Sequence, residues 1–188
     1  MTEGVEIIVA VIVAVAVILP VFLAWRSRQK RSQRLRTRFG PEYDRLVGET
    51  GSQVKAEKVL SERVDRSRKI IIKPLPVEDR EHFSQAWRKL QARFVDAPGE
   101  AMIEADQLLE QLMAQRGYPT GNFEQQANDV SVDHPQVVQN YRLAHAIANR
   151  QRQGNATTEE LRQAVVHYRS LFEELLSPGI SIPTEVKK

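Results

Sequence analysis

Apolar residues run almost unbroken from Val5 to Trp25. From Ile7 onward nothing in that run is charged, and Pro20 alone interrupts the aliphatic side chains. A helix over this stretch covers roughly 31 Å, close to the roughly 30 Å hydrocarbon core of a bilayer. A helix satisfies its own backbone N–H and C=O groups in lipid, which overrides the weak helix preference of the many Val and Ile residues. The pattern therefore predicts one N-terminal transmembrane helix, with Trp25 at the interface and a kink at Pro20. A cleaved signal peptide is the competing reading. It asks for a basic start, a shorter apolar core and a small-residue cleavage site. Here Thr2, Glu3, Gly4 and Glu6 precede the run, and bulky Trp25 and arginines follow it. A retained anchor fits better.

Beyond Trp25 the chain turns basic, then amphipathic. Arg26, Arg28, Lys30, Arg31, Arg34, Arg36 and Arg38 bring seven positive charges and no negative ones. Gly40-Pro41 breaks the helix, and Pro41 suits the first turn of a short one bearing Glu42, Tyr43, Asp44, Leu46 and Val47. Ser52 opens a densely charged helix over about 52–69 with a thin stripe of Ala56, Leu60 and Val64. Ile70-Ile71-Ile72 with Pro74 and Pro76 reads as an extended connector.

Helical spacing is strongest after Pro76. Phe83, Trp87, Leu90 and Phe94 share one face of a helix over 77–95. Asp96 and Pro98 start the next helix, which buries Ala101, Met102, Ala105, Leu108, Leu109, Leu112 and Met113 and ends at Gly117. A short helix over Glu124 to Val130 follows, and Asp133 is expected to cap another that starts near Pro135. Val137, Val138, Tyr141, Ala144 and Ala148 form its stripe, and Gly154 stops it. Thr157 or Thr158 ahead of Glu159, Glu160 and Leu161 resembles a capping box for the last helix, which runs to Leu176. No run alternates with the period of a strand.

The expected fold is all-α, one N-terminal transmembrane helix followed by a soluble antiparallel helical bundle. Its expected parts are an extracytoplasmic N-terminus and membrane helix (1–25), a basic collar (26–38), a charged helical arm with its connector (39–76), the bundle core (77–177) and a loose tail (178–188). Whether helices within 41–69 dock on the bundle or extend from it is open. The positive-inside rule puts the collar and everything after it in the cytoplasm, with the N-terminus outside.

Charge narrows the partners. The chain carries a formal +3, but the collar alone exceeds this, so residues 39–188 are slightly acidic. That argues against a nucleic-acid-binding domain, which needs a basic face of its own. The collar itself suits contact with anionic headgroups, at about 1 kcal/mol per basic residue near the surface, although it also reads as a topology signal alone. The chain has no cysteine, which excludes disulfides, thiolate catalysis and Cys-based zinc sites.

Candidate chemistry is thin. Of the four histidines, His82 alone has an acid three residues earlier, Asp79, so the Glu-x-x-His pattern of di-metal bundles has at best half a match. His134, His145 and His167 have none. Asp133-His134-Pro135 is the most suggestive local cluster, because an acid beside an imidazole suits proton transfer. A helix start accounts for Asp133 and Pro135 without any function. No phosphate-loop, dinucleotide-binding or H-E-x-x-H motif occurs. No catalytic residue, metal ligand or cofactor is expected.

The words RFGPEYDRLV (38–47), QARFVDAPGEAMIEADQLLEQLMAQRGYP (91–119), SVDHPQVVQNYRLAH (131–145) and LRQAVVHYRSLFEELL (161–176) together resemble a family of uncharacterised bacterial proteins with one N-terminal membrane segment and a helical remainder, labelled as membrane or secreted proteins. The resemblance covers most of residues 38–176. It implies no catalytic or ligand residue, and its "secreted" label implies an exported, cell-envelope domain as an alternative orientation. The expected function is a single-pass membrane protein presenting a non-catalytic interaction or scaffold domain at the cytoplasmic face, with a protein partner or self-association through helix 52–69. The rival is a membrane-tethered acid–base or metal-dependent enzyme that uses its His and Asp residues.

Overall fold

Glycine and proline cut the chain into helices close to where the spacing predicts. The structure, a computed structural model, describes residues 2–177, with the side chains of 2–17, 21 and 24 outside that description. Among the described residues there are eight α-helices and no strand: α1 (Thr2–Phe39), α2 (Pro41–Thr50), α3 (Gln53–Ser67), α4 (Val77–Arg93), α5 (Pro98–Gln115), α6 (Phe123–Asp133), α7 (Val138–Arg152) and α8 (Thr158–Leu176). Gly40 turns at φ 48°, and Pro41 opens α2 behind it. Asn122 caps α6 by accepting from the Gln125 N–H. The expected tail, 178–188, lies outside the described residues.

The capping box at α8 forms as its sequence predicts. The Glu160 N–H donates to Thr157 Oγ1 at 3.3 Å, and the Thr157 N–H donates to Glu160 Oε2 at 2.8 Å. Two N–H groups without helical partners are thereby satisfied. Thr157→Ala removes half of the box and is expected to lower stability by about 1 kcal/mol. A shift in the urea midpoint with an unchanged m-value measures it.

The transmembrane helix is corrected. No helix among the described residues is long and apolar enough to cross a membrane. The run expected to span, Val5 to Trp25, lies within α1, but its side chains up to Val17, with Val21 and Ala24, fall outside the described set. What is described is the short apolar stretch from Ile18 to Trp25, about 12 Å of helix rise. The helix then continues without a break into Arg26 and the collar.

Two apolar clusters organise the rest. The larger lies among α4, α5, α7 and α8, with Met102, Leu109, Leu112 and Met113 facing Tyr141, Ala144, Tyr168, Leu171, Phe172 and Leu175. Trp87 stacks on Phe172 with ring centroids 4.5 Å apart. Phe83 and Trp87 are buried and Phe94 packs at the edge, so this aromatic stripe belongs to the core. The link over 153–157 is short and α7 packs on α8, which makes the two an antiparallel helical hairpin. The connector lies on this body. The Lys73 N–H donates to the Arg116 carbonyl at 2.8 Å, and Leu75 enters the core.

The smaller cluster holds Phe39, Tyr43, Leu46, Ala56 and Leu60, joined by Val132 from α6. It settles the question left open by the sequence, because α2 and α3 dock. The α3 stripe is turned inward as Ala56, Leu60 and Arg63, so this helix does not project as a coiled-coil arm. Leu35 and Phe39 tie the end of α1 into the same cluster.

Candidate functional site

The collar residues Arg26, Arg28, Lys30, Arg31, Arg34, Arg36 and Arg38 are all exposed on α1. Three have neighbours that hold them. Arg31 donates to Ser61 Oγ at 2.7 Å, Arg36 lies 3.6 Å from Asp44, and the Arg38 guanidinium sits 5.9 Å from the centre of the Phe39 ring. Lys30, Arg34 and Arg38 follow one another at single-turn spacing and, with Gln33 and Thr37, line a shallow concavity. The ridge therefore offers one strip of like charge.

Asp133 and His134 do not work as a pair. Asp133 is the exposed last residue of α6 and His134 closes that helix, its N–H donating to the Val130 carbonyl. The expected cap on a helix from Pro135 is corrected: α7 begins at Val138 behind a turn that contains Pro135. The physical reason is that Val130, Ser131 and Val132 are buried and carry α6 through to Asp133. His134 Nδ1 instead meets Glu174 Oε1 on α8 at 3.2 Å. His82 is exposed beside Phe83. Among the described residues no three His, Asp or Glu side chains gather as a metal ion requires.

Two polar centres escaped the sequence reading. Asp106 of α5 is only 3% exposed. It accepts from the Tyr168 hydroxyl and from Arg152, and it meets His145 Nδ1 at 3.3 Å. Phe123 lies flat on the His145 ring, with centroids 3.6 Å apart and planes 5° from parallel. Burial pushes the Asp106 carboxyl up, but the hydrogen bonds from His145, Tyr168 and Arg152 outweigh it and hold the group below its ordinary value. The Tyr168 hydroxyl is pushed far up by burial and by the Asp106 charge. An ionised acid thus orients an imidazole, which is a general-base arrangement in outline. Its carboxylate is wholly enclosed by α5, α7 and α8 and has donors on both oxygens.

The second centre is Glu42, fully buried at the start of α2. Arg45 approaches both its oxygens at 2.8 and 2.6 Å, Arg63 of α3 donates at 2.6 Å, and Gln139 of α7 at 2.7 Å. Arg142 stands 3.7 Å away. Burial would raise this carboxyl; the hydrogen bonds from Arg45 and Arg63 and the charges of Arg45 and Arg142 hold it below its ordinary value. Arg63 also reaches Ser131 Oγ at 3.3 Å. Beside it, Asp129 of α6 is buried, 3.5 Å from Arg66. Burial dominates there and raises its carboxyl.

These two centres draw together the sequence words described above. Residues 38–47 and 131–145 meet at Glu42, and residues 91–119, 131–145 and 161–176 meet at Asp106. One signal was present in the sequence: Asp106 and Arg63 fall on apolar stripes, between Met102 and Leu109 and one turn beyond Leu60. No family model, curated protein or solved structure matches the chain.

Proposed function

We propose that the chain is a non-catalytic helical interaction module whose α1 ridge meets an anionic lipid surface and whose bundle serves a protein partner on the cytoplasmic side. The observation that carries this reading is the ridge itself: seven exposed cations on one helix, with Arg36–Asp44 the nearest compensating pair. Trp25 and Phe22 are exposed directly before it, and aromatic side chains favour the headgroup zone. The non-catalytic part is supported by the state of the buried acids. Glu42 and Asp106 are both fully engaged by donors from the chain. The cytoplasmic side is supported by the collar charge, because the cytoplasmic leaflet carries the anionic lipid that such a ridge would meet.

The test is co-sedimentation of the full chain with vesicles of phosphatidylcholine alone or with added phosphatidylserine. Binding is expected only with the anionic lipid, and it should weaken as salt is raised. The triple change Lys30→Gln, Arg34→Gln, Arg38→Gln is expected to lower affinity on the order of a hundredfold, at about 1 kcal/mol for each charge lost near the surface. Equal binding to both vesicle types, or an unchanged affinity of the triple variant, would sink the reading.

A further inference from the structure

We infer that α1–α3 undock from α4–α8 as one body, with Glu42 as the latch between them. Each body has its own apolar cluster, and the seam between them is almost entirely polar. One apolar side chain, Val132, crosses from α6 into the cluster of Phe39, Tyr43, Leu46, Ala56 and Leu60. Among the described residues the hydrogen bonds and ion pairs across it are Glu42 to Gln139 and Arg142 of α7, Arg63 to Ser131, and Arg66 to Asp129. A seam of this kind separates at far lower cost than a core, because its groups recover hydrogen bonds in water. The backbone crosses once, at the turn over 68–70 that follows α3. Past that turn the connector belongs to the bundle, through Lys73 on Arg116 and Leu75 in the core.

The latch is asymmetric. If the Glu42 charge is removed, Arg45 keeps Glu49 and Arg142 keeps Glu124. Arg63 keeps the Ser131 hydroxyl and the charge of Asp129 beside it, with no direct ion pair, although it is buried and its Nε already has no hydrogen-bond partner among the described residues. A buried guanidinium that has lost its contacting carboxylate is the strained element. Moving α3 away from α6 returns it to water without disturbing either apolar cluster beyond Val132. The expected response to losing Glu42 is therefore separation of two folded bodies, and not general unfolding.

The chain has no native cysteine, so spin labels can be placed freely. One pair, Lys58→Cys on α3 with Leu143→Cys on α7, spans the seam. A second pair, Glu110→Cys on α5 with Leu143→Cys, lies within the bundle. All three sites are exposed. In the full chain, pulsed-dipolar distances across the seam are expected to be short and single. Glu42→Gln should add a longer, broad population, with the docking equilibrium shifted on the order of a hundredfold, while the distance within the bundle stays fixed. Adding Arg63→Met to Glu42→Gln removes the stranded charge and should restore the single short distance. An unchanged seam distance in Glu42→Gln, broadening of both pairs together, or a failure of Arg63→Met to restore docking would each overturn the inference.

Discussion

Asp106→Ala is expected to destabilise the bundle by about 3–5 kcal/mol, the usual cost of removing one partner from a buried charged network. Three donors lose their acceptor together: the buried Tyr168 hydroxyl, the half-buried His145 and Arg152. The three sit on α7 and α8, which both pack on α5, so the loss is felt across the whole hairpin. Chemical denaturation followed by far-UV circular dichroism measures it, and a loss below about 1 kcal/mol, the size of an ordinary hydrogen bond, would mean that the network contributes nothing special. Asp106→Asn isolates the charge and has a pH signature. The folded carboxyl lies below its ordinary value of 3.8, so its contribution is present above that value and is lost as pH falls through the folded pKa. Glu42 acts in the same sense below its ordinary 4.5. Asp129, raised from 3.8, acts in the opposite sense. The native chain should therefore lose stability below pH 3.8 more steeply than Asp106→Asn. Parallel curves would contradict the assignment of Asp106 as an ionised centre.

Gly117→Ala should cost on the order of 3 kcal/mol, for two separate reasons. Gly117 turns at φ 94°, a conformation that a side chain opposes. A Cβ there would also stand 2.4 Å from the carbonyl oxygen of Ile71. That oxygen belongs to the connector backbone, which the Lys73–Arg116 hydrogen bond holds in place. The connector must shift, and Leu75 is drawn from the core with it. A lowered melting temperature together with faster tryptic cutting after Arg68 or Lys69 is the expected result. Gly99→Ala is the contrast. Its Cβ would meet the amide end of the Gln151 side chain, which is flexible and exposed enough to move, so the effect should be small. Similar losses from both substitutions would show that close approach to the connector is not what matters at Gly117.

Helix positions were legible because the signals for them are local. Gly40-Pro41, the Gly117 stop and the Thr157–Glu160 box each act within a few residues, and the stripe of Phe83, Trp87 and Leu90 sets the buried face of α4 by itself. The polar centres were not legible, because their partners are far apart in sequence. Gln139 lies 97 residues from Glu42, and Tyr168 lies 62 from Asp106. Glu42 reads locally as an acid at a helix start, and nothing nearby announces that Arg63 and Gln139 will close over it. Asp133 misled in the opposite way. Its neighbours His134 and Pro135 look like the start of a helix, yet the buried run Val130 to Val132 makes them the end of one. The apolar run at the N-terminus was judged by its length, hydropathy and flanks, whereas the described side chains of α1 begin with about two apolar turns that lead straight into arginine.

The two tryptophans divide between the parts of the molecule that matter most. Trp25 is 60% exposed on α1, just ahead of the cationic strip, and Trp87 is 6% exposed against Phe172. Their indoles therefore emit from opposite surroundings, one wet and one apolar. Intrinsic fluorescence from the unlabelled chain thus carries two separable colours: the blue edge follows the integrity of the bundle, and the red edge follows whatever comes to rest beside α1. Trp25→Phe leaves a reporter of folding alone, and Trp87→Phe leaves a reporter of the ridge.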